Sequence, residues 1–156
     1  MMFYLGCHMI DLICSLCGFP KRVIPYNKCS GVDGVDVSDL CMAILEYDNG
    51  TSFAKASAVE FGGFERRQLV VSGSAKTIEL RPLEWYRSDG KLVTERYVRD
   101  NRKWTAPSIK ETSVGVDRYD DMMRAFAKMV RGEKENPYTY DYELQLYKTL
   151  LKACGN

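Results

Sequence analysis

The sequence predicts an α+β fold: helices at the two ends of the chain and, between them, a mostly antiparallel sheet of about six strands, open on one face. Three observations predict it. Segments of strand composition are grouped between residues 21 and 98. Tight-turn signals such as Asp48-Asn49-Gly50 and Ser88-Asp89-Gly90 separate them, and short turns make neighbouring strands antiparallel. Helical patterns occur only before and after this group, which is the order of an α+β chain.

Residues 4–17 are apolar on nearly every face and read as a largely buried helix, with Gly18 suited to its C-cap and Pro20 barring continuation. Strands follow at Lys21–Cys29, Leu40–Tyr47 and Thr51–Phe61. The last of these places Ala54, Ala56 and Ala58 on one side, a strip that can pack closely against helices. Glu65–Ser72, Thr77–Leu80, Glu84–Arg87 and Lys91–Val98 complete the strands, and the chain reads as irregular from Trp104 to Val116. Asp117 is positioned to cap a helix over Arg118–Arg131, with Met122, Met123, Phe126, Met129 and Val130 at helical spacing. A final helix spans about Thr139–Ala153, with Leu144, Tyr147, Leu150 and Leu151 on one face and Gly155 as its stop. Helices cover one face of this sheet. The bare face implies a partner domain or a second copy.

A length of 156 residues suits one domain, and 46% hydrophobic with 28% charged residues argues against disorder. A net charge of +1 provides no field to gather nucleic acid or an anionic membrane. The apolar start has no basic residue ahead of it, and His8 and Asp11 interrupt it, so neither a secretory signal nor a membrane span is expected. Leu5-Gly6-Cys7 lacks the basic leader of a lipid-attachment cysteine. The six cysteines fit buried small side chains better than a disulfide frame, which points to a reducing cytoplasm.

The chemistry concentrates on the first helix. Tyr4, His8, Asp11 and Ser15, spaced by 4, 3 and 4, share one stripe of an otherwise apolar segment. His8 is the sole histidine, the side chain best suited to pass a proton near neutral pH, and Asp11 lies one turn on, where it can fix the imidazole. Two readings stay open: the pair bridges backbone groups inside the fold, or the stripe borders a substrate cleft. Cys14-Ser15-Leu16-Cys17 has the spacing of a redox motif but sits at the helix C-terminus, the wrong end for lowering a thiol pKa. Cys7, His8, Cys14 and Cys17 on one helix cannot converge on a tetrahedral zinc ion. Arg96–Trp104 (RYVRDNRKW) mixes basic and aromatic residues, yet with Asp100 inside it a solvated hairpin edge is expected rather than a nucleic-acid stripe. The tyrosines at 138, 140, 142 and 147 read as packing residues with wet hydroxyls.

The segment GCHMIDL (Gly6–Leu12) resembles the G-x-H-x-x-D-L signature of the glucose–fructose oxidoreductase, inositol dehydrogenase and MocA (Gfo/Idh/MocA) family. LCGFPKRV, ILEYDNGTSFA, RRQLVVSGSAKTIEL, YDDMMRAFAKMVRG and DYELQLYKTLLKA continue the likeness in order along nearly the whole chain. The resemblance implies the C-terminal α+β domain of an NAD(P)-dependent oxidoreductase of sugars or polyols, one that shapes the substrate site and builds dimers or tetramers through its sheet. It implies that His8 is the acid/base, that Asp11 orients it and that Tyr4 lines the substrate pocket. The loop ahead of the last helix makes Tyr140 a weak cofactor contact.

The chain departs from the family pattern at two points. Tyr4 stands where many members carry an Asp, and a phenol with an ordinary pKa of about 10 cannot be the same base. Nothing here matches the G-x-G-x-x-G loop or Glu-Lys-Pro motif of the family's Rossmann domain. The nucleotide-binding domain is therefore expected to be absent and NAD or NADP to bind only in a full-length enzyme, not to this chain alone. The expected partners are a small sugar or polyol and further copies of the chain, with no metal. The alternative is a non-catalytic module that associates through its bare sheet face.

Overall fold

The computed structural model describes residues 1–100, 105 and 107–156, and the chain divides into two compact units. The first unit comprises 1–61 and 136–156, the second 62–135.

In the first unit, one wide turn of π-helix (Met2–Gly6) leads into α1 (Cys7–Cys17). A Cβ at position 6 would lie 2.3 Å from the Met2 sulfur and 3.6 Å from the Ala56 Cβ, so glycine lets this turn press onto the sheet. Gly18 (φ 76°) ends α1, its N–H bonded to the Cys14 carbonyl. Strands β1 (Arg22–Lys28), β2 (Leu40–Tyr47) and β3 (Gly50–Ser57) form an antiparallel sheet in that order, with the Asp48-Asn49 turn setting the β2–β3 register. Cross-strand rows alternate as the pleat requires. Pro25, Ala43 and Ala54 share one face, and Ile24, Ile44 and Phe53 share the other.

The first of these faces is covered. Ile10, Ile13 and Cys14 of α1 pack with Cys41, Ala43, Leu45 and Ala54 of the sheet and with Leu150 and Ala153 of the last helix, here α3 (Tyr140–Cys154). Ile10 and Leu45 are sealed from solvent, each such side chain contributing roughly 1.5–3 kcal/mol. Ala54 and Ala56 are buried as the alanine strip predicts, whereas β3 ends at Ser57 and Ala58 is exposed. Asn27 donates to the Ala153 carbonyl at 2.9 Å, tying β1 to the end of α3.

In the second unit, β4 (Leu69–Ser72), β5 (Thr77–Leu80), β8 (Glu95–Arg99) and β9 (Ile109–Thr112) form an antiparallel sheet in that order. The short β6 (Trp85–Tyr86) and β7 (Leu92–Val93) pair separately, and α2 (Asp120–Val130) follows β9. Glu84 gathers Arg67 (2.7 Å) and Arg118 (2.9 Å), and the guanidiniums of both lie over the Phe64 ring.

The α+β class, the antiparallel pairing and the terminal helices agree with the sequence reading, the strands among the described residues being shared among three hydrogen-bonded sheets. Several expectations need correction. The segment read as irregular contains β9, whose side chains are all exposed, so it carries no apolar alternation to reveal it. Asp117 does not cap α2: its carboxylate pairs with Lys91, and Tyr119 holds the cap position without a side-chain bond. No residue of α2 is buried, so its Met122, Met123, Phe126 and Val130 face is not core. On α3 the buried face runs through Thr149, Leu150 and Ala153, while Leu144 and Tyr147 are half exposed. Of the Arg96–Trp104 segment, residues 101–104 lie outside the described residues. Arg96–Arg99 belong to β8, which lies between β5 and β9 rather than at an edge and pairs Arg96 with Glu111.

Candidate functional site

The polar stripe lies on the first turns of the chain. Tyr4 belongs to the wide opening turn and is 76% exposed. His8, the second residue of α1, is exposed, and among the described residues no hydrogen bond or ion pair engages its ring. Asp11, one turn on, is half buried and accepts a 2.7 Å hydrogen bond from the hydroxyl of Tyr142 on α3. Ser15 donates to the Leu12 carbonyl at 2.8 Å, so its hydroxyl is satisfied within the helix. The imidazole therefore stands at the surface of the first unit rather than in its packed interior.

Tyr142 is a residue whose role the sequence reading did not separate from packing. Its ring meets Phe19 (centroids 5.4 Å apart) and Tyr138 (6.0 Å). Burial, and then the bond to Asp11 and that carboxylate's charge, hold its phenol above the usual tyrosine range, so at neutral pH it is a hydrogen-bond donor. The signal was present in outline, since residues 142, 146, 149, 150 and 153 follow helical spacing. The polar Tyr142 and Thr149 hid that face. Thr149 is buried because its hydroxyl donates to the Gln145 carbonyl at 2.8 Å.

Tyr140, the first residue of α3, is 96% exposed, and no partner of its hydroxyl is found among the described residues. Two shallow hollows of about 240 and 230 Å³ lie elsewhere in the first unit. One is lined by Met42, Ile44, Thr51, Ser52 and Phe53, the other by residues that include Asn27, Cys41 and Cys154. Neither includes His8 or Asp11.

All six cysteines are free thiols. Burial, with Asp11 and Cys17 nearby, pushes Cys14 up to about 11, which suppresses the thiolate that redox exchange needs. Among the described residues no three His, Cys, Asp or Glu side chains come together to hold a metal ion, and no helix is long and apolar enough to cross a membrane. Gly62 and Gly63 lie between β3 and β4, and Gly73 between β4 and β5, so none opens a helix that could cradle a pyrophosphate.

No known protein family profile matches the chain, and no curated protein sequence is similar to it. Solved structures are. The oxidoreductase candidate yvaA of Bacillus subtilis shares 15% identity at a TM-score of 0.71, over 99% of this chain and 48% of its own. A candidate oxidoreductase of Klebsiella pneumoniae shares 20% at 0.71, over 98% and 45%. A candidate NADPH-dependent oxidoreductase of Desulfitobacterium hafniense shares 16% at 0.71, over 97% and 44%. The chain thus spans somewhat under half the length of the structures it matches, and nearly all of it has the fold of one part of these oxidoreductase chains.

Proposed function

We propose that this chain is the C-terminal, substrate-side domain of an NAD(P)-dependent oxidoreductase of the Gfo/Idh/MocA type, acting on a sugar, polyol or related hydroxy compound and inactive alone. One observation carries the reading: a solvent-facing lone histidine sits one helical turn from a carboxylate held in place, on a fold shared with oxidoreductase chains. The residues of this chain do not fit the nucleotide's pyrophosphate, so a nucleotide-binding half must supply the nicotinamide that takes or gives the hydride. The work left to this chain is the proton. His8 exchanges it with the substrate hydroxyl, Asp11 orients the imidazole, and Tyr4 lines the pocket. Exposed rings at Tyr4, Tyr138 and Tyr140 offer faces on which a sugar can lie, and Tyr140 is the candidate for cofactor contact.

In the chain joined to its nucleotide-binding half, His8→Ala is expected to lower turnover about 100-fold or more, the usual worth of a general acid/base. Unchanged turnover would remove the catalytic role. A second reading, a non-catalytic assembly module, is favoured by the apolar open face of β1–β3 and by Tyr4 in place of an acid.

A further inference from the structure

We infer that Tyr142 is a positioning residue: its hydroxyl pins Asp11 in one orientation, leaving the second carboxylate oxygen to accept from His8 or from a substrate hydroxyl. The inference rests on the reading of His8 and Asp11 as the reacting edge. An aspartate on a half-exposed helix face ordinarily samples several rotamers. Here one oxygen receives a 2.7 Å bond from a phenol, the short distance of a charge-assisted contact. Both the backbone and the ring of Tyr142 have partners of their own. Thr139, the N-cap of α3, accepts from the Tyr142 backbone N–H at 3.1 Å. The rings of Phe19 and Tyr138 pack against it at a tilt, with centroids 5.4 and 6.0 Å away. The bond joins residues 131 apart in sequence, so it carries the order of the packed α3 into the polar edge of α1. A tyrosine suits this task because two side-chain torsions are enough to place its hydroxyl far from the backbone.

The test is made on the chain itself, isotopically labelled, by measuring the three-bond couplings between Hα and the two Hβ protons of Asp11. The unaltered chain should give one large and one small coupling, the mark of a single rotamer. Tyr142→Phe keeps the ring and removes only the hydroxyl. It should bring the two couplings together while the backbone amide spectrum of α1 and α3 is retained. Unequal couplings that persist in Tyr142→Phe overturn the inference, because the bond is then a brace without effect on Asp11. Averaged couplings in the unaltered chain overturn it as well, and that measurement holds even if the variant does not fold. Either result leaves the acid/base role of His8 standing, since that role is tested separately by turnover of His8→Ala.

Discussion

Single carboxylates set local order in this chain, and Asp39 shows it most plainly. It is buried, and its two oxygens accept from the Ser30 hydroxyl (2.5 Å) and the Ser30 N–H (2.7 Å), closing the loop between β1 and β2. Its backbone continues the clamp, the N–H bonding the Lys28 carbonyl and the carbonyl accepting from Ala58. The Ser30 hydroxyl first, and then its N–H, hold the Asp39 carboxyl below the usual carboxylate range. A depressed folded-state pKa stabilises the fold above the unfolded value of about 3.9, and the contribution is lost as pH falls through the lower folded value. The Tm difference between the unaltered chain and Asp39→Asn should therefore be largest near neutral pH and shrink below about pH 4. A difference that stays constant from pH 6 to pH 3 would contradict this. Asp11 works in the same manner with a distant partner, and there the sequence was less informative. Helical spacing placed His8 and Asp11 on one edge, but nothing local ties residue 11 to residue 142.

Among the elements, the sheet of the first unit carries the clearest prediction. Its open face aligns Ile24, Ile44 and Phe53 across three strands, with Tyr26 and Met42 in a neighbouring row and Phe53 68% exposed. Such a row in water favours association with a like surface. Light scattering should find the chain larger than a monomer, and Ile44→Lys, which sets a charge at the centre of the row, should shift it to monomer without loss of helical signal. A strict monomer before substitution would contradict the assignment of this face to self-association. Elements with strong local signals were legible in the sequence: β2 and β5 fall where alternation and turns put them, and Gly18 and Gly155 stop α1 and α3. Elements whose signal depends on burial were not. β9 is exposed throughout, and α2 keeps its helical periodicity with no buried side chain, so periodicity located the helix without showing what its apolar residues meet.

At the scale of the whole molecule, the chain matches somewhat under half of each related structure, and among the described residues no glycine-rich turn opens a helix. The function proposed above divides the labour, with one half bringing the hydride carrier and this half bringing the hydroxyl-bearing substrate to His8. Helical spacing put His8 and Asp11 on one stripe before any coordinates, but the pattern alone left open whether the pair was structural or bordered a cleft, and only the resemblance of Gly6–Leu12 to a family signature favoured the second. The anchor that holds the acid became visible only with α3 in place. The most direct test is a crystal structure of the chain joined to its nucleotide-binding half, with nucleotide and a polyol bound. A His8 ring nitrogen is expected about 2.6–3.2 Å from the hydroxyl on the reacting carbon, or one water removed, with Asp11 still bonded to Tyr142. A polyol seated far from His8, with the imidazole facing bulk solvent, would contradict it.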